Sequence, residues 1–187
     1  MNQKEQADFN EISNRLNKVK DYLNDRNTSY SISELGNMIE DFISVKDTLG
    51  NLGSIINFLT LQKAKLFLEK KFNQELPGVL LKDINTPGWK INCILNDGKR
   101  IVAEAKTTTP TGRSFGSKQR EEISKVLDKL KSVDAGYKYL FVTNEDTARI
   151  LHIEYSMELV GITVEMIVSN LVRNFIPEKN HKSIMLR

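Results

Sequence analysis

Phe9, Ile12, Leu16, Val19 and Leu23 recur three and four residues apart, the stripe that one face of an α-helix produces. Residues 1–8 ahead of it are polar and read as a frayed start. The stripe lasts only about two heptads, so packing on the rest of the chain is expected, with a dimer contact as the alternative. A polar segment at 24–29 ends it. Ser31-Ile32-Ser33-Glu34 then fits a capping box, in which Ser31 covers free N–H groups and Glu34 reaches back. The helix that follows is expected to bury Leu35, Ile39, Phe42 and Ile43 and to close at Gly50. The strongest helical pattern runs from 52 to 72, with Leu52, Ile55, Ile56, Leu59, Phe67 and Leu68 apolar. Its lysines, Lys63, Lys65, Lys70 and Lys71, read as a solvated face, with contact to a DNA backbone as the alternative.

Beyond residue 73 the period shortens to two. Val79-Leu80-Leu81 reads as a first short strand. Residues 89–95 and 100–107 alternate as two strands joined by Asn96-Asp97-Gly98, a hairpin signal because Gly accepts the positive φ of a tight turn. A helix is expected at 117–133, with Ile123, Val126, Leu127, Leu130 and Val133 on one face and Gly136 at its end. Tyr137-Lys138-Tyr139-Leu140-Phe141-Val142-Thr143 is apolar enough for a central strand. A helix at 144–156, with Asn144 as its N-cap, and a strand at 162–168 complete the order. The pattern predicts an α/β fold. Residues 1–49 form an N-terminal helical subdomain for bracing or dimerisation, and 50–187 the chemical domain.

The second hairpin strand carries the candidate chemistry. Side chains alternate across a strand, so Val102, Glu104 and Lys106 share one face and Ile101, Ala103 and Ala105 the other. A carboxylate and an ammonium on an otherwise apolar strand need pairing, hydration or an ion. One answer is a hard cation such as Mg²⁺, which takes a few carboxylates and a carbonyl and keeps waters for substrate. A neighbouring Lys then orients the attacking water or meets charge on a phosphate. The loop at 107–120 is rich in Thr, Ser and Gly, and its Arg113, Ser114, Lys118 and Arg120 suit contacts to DNA phosphates. The structural alternative is a cross-strand ion pair beside a plain linker.

Glu104-Ala105-Lys106 on the second strand of a hairpin resembles the Glu-x-Lys half of the PD-(D/E)XK nuclease superfamily, which includes many type II restriction endonucleases. The helix, strand, hairpin, helix, strand order over residues 50–168 is similar to that superfamily's αβββαβ core, which implies a central mixed sheet flanked by helices. The family places an Asp on the preceding strand, commonly after a Pro; here Pro87 precedes the strand and the position that fits best is Asn92. Three explanations stand: a natural Asn, a deliberately replaced Asp, or a carboxylate from elsewhere, with Asp83 the nearest candidate and Asp97 a poorer one. The resemblance implies a restriction-endonuclease-like, Mg²⁺-dependent enzyme, Mn²⁺ substituting, that hydrolyses double-stranded DNA as a homodimer. Glu104, position 92 and the Ala105 carbonyl would hold the metal, and Lys106 would position the water. Asn57 would stand where family members often have a Glu, and Gln119 where a polar side chain often faces the site. The alternatives are a structure- or modification-directed nuclease of the same superfamily and a non-catalytic DNA-binding or dimerisation protein.

Composition narrows this only a little. The 187 residues are 40% hydrophobic and 27% charged, as in a globular domain. No apolar run approaches the roughly 18 residues of a membrane span, and the polar N-terminus has no signal-peptide core, so a cytoplasmic protein without a membrane partner is expected. Cys93, the single cysteine, reads as a small core residue. His152 and His181 lack a second ligand at metal spacing, which argues against zinc. No Gly-rich loop precedes a Lys-Ser or Lys-Thr, so no nucleotide cofactor is expected. The net charge of +3 permits nucleic-acid binding without requiring it.

Overall fold

A computed structural model describes residues 1–26, 29–78, 88–110 and 114–167, apart from the Ile32 side chain. Helix α1 (Gln3–Asn24) begins the chain. A single 3-10 turn (Ile32–Glu34) leads into α2 (Leu35–Leu49), and α3 (Leu52–Phe72) follows. Strands β1 (Ile91–Ile94) and β2 (Arg100–Lys106) form the hairpin. Then come α4 (Ser117–Ser132), β3 (Tyr137–Val142), α5 (Glu145–Glu154) and β4 (Thr163–Met166). The sheet is four-stranded and mixed, in the order β1-β2-β3-β4. β1 is antiparallel to β2, while β2, β3 and β4 run parallel. The α/β class and the central placing of β3 follow the sequence pattern. The expected strand at 79–81 lies outside the described residues.

Two apolar layers sandwich the sheet. On one face Leu61, Ala64 and Leu68 of α3 meet Ile101, Ala103, Tyr139 and Phe141. On the other, Ile123, Leu127 and Leu130 of α4 and Ile150 and Leu151 of α5 meet Val102, Leu140 and Val142. The alternation along β2 thus sends Ala103 to α3 and Val102 to α4. Gly98 closes the hairpin at φ 80°, its N–H donating to the Leu95 carbonyl at 2.9 Å. Asn144 caps α5 by accepting from the Thr147 N–H. Phe72 lies against Tyr137 and Phe67 against Phe141, so α3 runs antiparallel to β3.

The N-terminal helices correct two expectations. Residues 1–8 are not frayed. Asn2 caps α1, accepting from the Glu5 N–H at 2.9 Å while Glu5 accepts from the Asn2 N–H at 2.7 Å. Glu5 is completely buried. Its carboxylate accepts from Lys65 Nζ at 2.9 Å to both oxygens and from Gln62 at 3.2 Å, which pins α1 to α3. Nor does α2 bury its apolar stripe: Leu35, Ile39, Phe42 and Ile43 are each at least half exposed. The residue of α2 that is buried is Asp41, which sits in a polar clasp that joins α2 to α1.

In that clasp Asp41 accepts from Tyr22 Oη at 2.5 Å and from Tyr30 Oη, with Arg26 at 3.2 Å. The hydroxyls of Tyr22 and Tyr30, and Arg26 after them, hold the Asp41 carboxyl below its ordinary value. A carboxyl with a depressed folded-state pKa adds stability above its unfolded pKa, about 3.9, and loses it as pH falls through the lower folded value. The stability difference between this chain and Asp41→Asn, measured by denaturant unfolding, is therefore expected to be full at neutral pH. It should shrink as pH drops below about 4; a difference that grows in acid would contradict the clasp.

Candidate functional site

Glu104 lies in the C-terminal half of β2, an interior strand paired to β1 on one side and to β3 on the other. Its side chain is 10% exposed. In open α/β sheets the carboxyl ends of parallel strands are where ligands gather, because loops leave there and the sheet offers no further side chains. Lys106, the last residue of β2, sits at that end with its side chain 21% exposed. The expected sharing of a face by Val102, Glu104 and Lys106 holds, since Val102 packs with α4 and both charged groups find partners on α4.

Those partners are not each other. Lys129 of α4 donates to Glu104 Oε1 at 2.5 Å and to the Gly88 carbonyl at 2.7 Å. Its ammonium also lies 4.1 Å from the centroid of the Trp89 ring. Lys106 Nζ faces Glu122 Oε2 at 3.6 Å. Glu122 and Lys129 are seven residues apart on one helix face, so α4 lays an acid over Lys106 and a base over Glu104. Sequence reasoning missed Glu122, Lys129 and Trp89. A signal existed: Glu122 and Lys129 directly flank the buried Ile123 and Leu130 of α4's apolar stripe, where a charged side chain can reach the sheet beneath.

The other expected residues fall in different places. Asn92 is paired across the hairpin with Val102, two residues along β2 from Glu104 towards the turn. It is exposed, and its Oδ1 accepts from Arg100 Nε at 3.0 Å. Ala105 faces α3 and packs on that side of the core. Asn57 continues the Leu61-Ala64-Leu68 stripe back towards the start of α3, and the antiparallel run of α3 against β3 puts it towards the carboxyl end of the sheet. Its Oδ1 is buried and has no hydrogen-bond partner among the described residues. Asp83 and Arg113 lie outside the described residues, as do Pro87 and His181.

The loop residues expected to meet DNA hold the loop itself. Gln119 accepts from the Gly116 N–H at 3.0 Å and donates to the Thr109 carbonyl at 3.1 Å. Arg120 donates to the Phe115 carbonyl at 2.8 Å and to Ser114 Oγ at 3.0 Å. Phe115 is a core residue, and Thr147 at the start of α5 donates to the Thr108 carbonyl at 2.7 Å. Lys118 is exposed. Cys93 packs against the α3 layer, and burial pushes its thiol pKa up. It is a core thiol, not an activated one.

Among the described residues no group of three or more His, Cys, Asp or Glu gathers as a metal cluster. Glu104 and the Gly88 carbonyl nevertheless converge on one cation, the ammonium of Lys129. Both are hard oxygen donors, and Mg²⁺ needs only one or two protein carboxylates when water and phosphate complete its shell. The donor set fits a hard divalent ion at Glu104. No helix among the described residues is long and apolar enough to cross a membrane. No family model, curated protein or solved structure matches the chain.

Proposed function

We propose that the chain is a Mg²⁺-dependent endonuclease of the restriction-endonuclease-like, PD-(D/E)XK kind that hydrolyses double-stranded DNA as a homodimer in the cytoplasm. The observation that carries this reading is a buried carboxylate, Glu104, two residues before Lys106 at the carboxyl end of an interior strand. That strand follows an antiparallel partner and leads through a helix to a parallel one. Nothing about a solvated surface pair calls for Glu104 to be 10% exposed.

In this reading Glu104, position 92 and the Ala105 carbonyl would hold the ion, with Asp83 as a further carboxylate. When bound, Mg²⁺ or Mn²⁺ supplies a Lewis acid for a phosphoryl oxygen and a lowered pKa for a bound water. Lys106 holds the attacking water or meets charge on the phosphate, and Glu122 keeps its ammonium directed over the strand end. Gln119, Arg120 and Ser114 bond within the loop that follows β2, which leaves Lys118 and Arg113 for the DNA backbone. Asn57, whose buried oxygen has no hydrogen-bond partner among the described residues, is the extra site residue from the α3 side. The exposed apolar faces of α1 and α2, with Phe9, Leu16, Ile39 and Phe42, support the homodimer.

Position 92 is the test. Asn has the shape of Asp without the charge that holds a cation. Asn92→Asp is expected to raise cleavage of mixed-sequence duplex DNA in Mg²⁺ or Mn²⁺ by about tenfold or more, and to yield discrete fragments. Cleavage equally strong with Asn92 would move the second carboxylate elsewhere. A second reading, a non-catalytic DNA-binding protein, is favoured by one observation: Glu104 and Lys106 each already have a partner on α4. It requires that no form of the chain cleaves with any metal.

A further inference from the structure

We propose that Lys129 is the chain's own occupant of the cation position at Glu104, and that a divalent ion reaches Glu104 only by displacing it. The inference rests on the reading of Glu104 as a metal ligand and adds a residue that controls the ion's access.

Three electron-rich groups surround one ammonium. They are the Glu104 carboxylate at 2.5 Å, the Gly88 carbonyl at 2.7 Å and the Trp89 ring at 4.1 Å. The first two are donors that a hard divalent ion selects, and the ring face attracts cations generally. Gly88 has φ 126°, a backbone conformation that L side chains rarely adopt, so the carbonyl comes from a bend that glycine makes accessible. The partners differ in freedom. Glu104 is fixed in the middle of the sheet with its side chain 10% exposed, whereas Lys129 reaches in from α4 on a flexible stem and is 37% exposed. The ammonium is the member that can leave.

An ammonium and a divalent ion at the same carboxylate oxygen repel each other and compete for its lone pairs. Binding is therefore competitive, and by linkage each weakens the other by the same factor. The arrangement also accounts for how a buried carboxylate is tolerated without metal, since Lys129 supplies the charge that the interior otherwise lacks.

The experiment is a thermal-stability titration with MnCl₂ alone. It uses the full chain, Lys129→Met, which keeps an alkyl stem over Trp89, Glu104→Gln, and the double variant. Lys129→Gln serves as a second neutral replacement should the Met form fold poorly. The midpoint of metal stabilisation is expected to fall by roughly tenfold in both Lys129 variants, the low end of coupling between close charge pairs. The response should vanish when Glu104→Gln is added. A Glu104-dependent response with an unchanged midpoint overturns the inference and leaves the metal reading intact. No response in any form overturns both.

Discussion

Glu5→Ala is expected to be the most destabilising single substitution in the N-terminal helices, costing about 3–5 kcal/mol. The carboxylate is completely buried, and its loss leaves Lys65, only 5% exposed at its side chain, with Glu69 at 3.5 Å as its remaining acidic partner among the described residues. Removing one partner of a buried pair leaves the other charge desolvated and undercompensated, which is why the cost exceeds that of any surface pair. The Asn2 N–H and Gln62 lose an acceptor as well. In a chain of this size the melting temperature should fall by roughly 6–20 °C. Because the pair is the source of the cost, Glu5→Leu combined with Lys65→Met should lose less than the two single changes together, a non-additivity expected between contacting residues. Thermal melts of the four forms check this. Additive losses would mean that α1 is held by its apolar contacts, Ile12 against Ile55 and Phe58, and not by the buried charge.

On the proposed nuclease reading, Glu104→Gln is expected to have the largest effect on chemistry, lowering metal-dependent cleavage by about 10²–10³-fold or more. The amide keeps the shape and one acceptor for Lys129 but cannot supply the negative charge that binds a divalent ion. The fold should survive. Lys129 is partly exposed and can rehydrate, so the stability cost should be about 1 kcal/mol. A melt close to that of the parent together with lost cleavage separates a site residue from a framework residue. Parallel losses of stability and cleavage would mark Glu104 as structural.

Much of the chemical region was legible in the sequence because it rests on local rules. Asp97-Gly98 defined the hairpin through backbone φ, and the two-residue period of β2 placed Glu104 and Lys106 on one face. The apolar stripe of α4 and the β-branched, aromatic character of β3 fixed the helix and strand that cover them. What escaped depends on pairings distant in sequence. Glu5 and Lys65 are sixty residues apart, so nothing near Glu5 announced that a polar start would be buried. In α2 the stripe of Leu35, Ile39, Phe42 and Ile43 is exposed, not buried as its pattern suggests, because periodicity says which residues share a face, not whether that face is covered. Asp41, one acid among several on that helix, gained its burial from Tyr22, Tyr30 and Arg26. At the site, the motif drew attention to Asn92, while register places it opposite Val102, two residues nearer the hairpin turn than Glu104, held by Arg100. The groups that touch Glu104 and Lys106 came instead from α4.

The proposed reading is that Glu104 is part of a hydrolytic centre for DNA. Its most direct test is the single-turnover rate of duplex cleavage at saturating Mn²⁺, for the Asn92→Asp chain with and without Glu104→Gln, alongside DNA affinity measured in Ca²⁺. The account predicts fragments from the Asn92→Asp chain, a rate lower by about 10²–10³-fold or more after Glu104→Gln, and melting temperatures within a few degrees of each other. Cleavage that persists undiminished without the Glu104 carboxylate would contradict it, as would DNA binding by both forms with no cleavage by either.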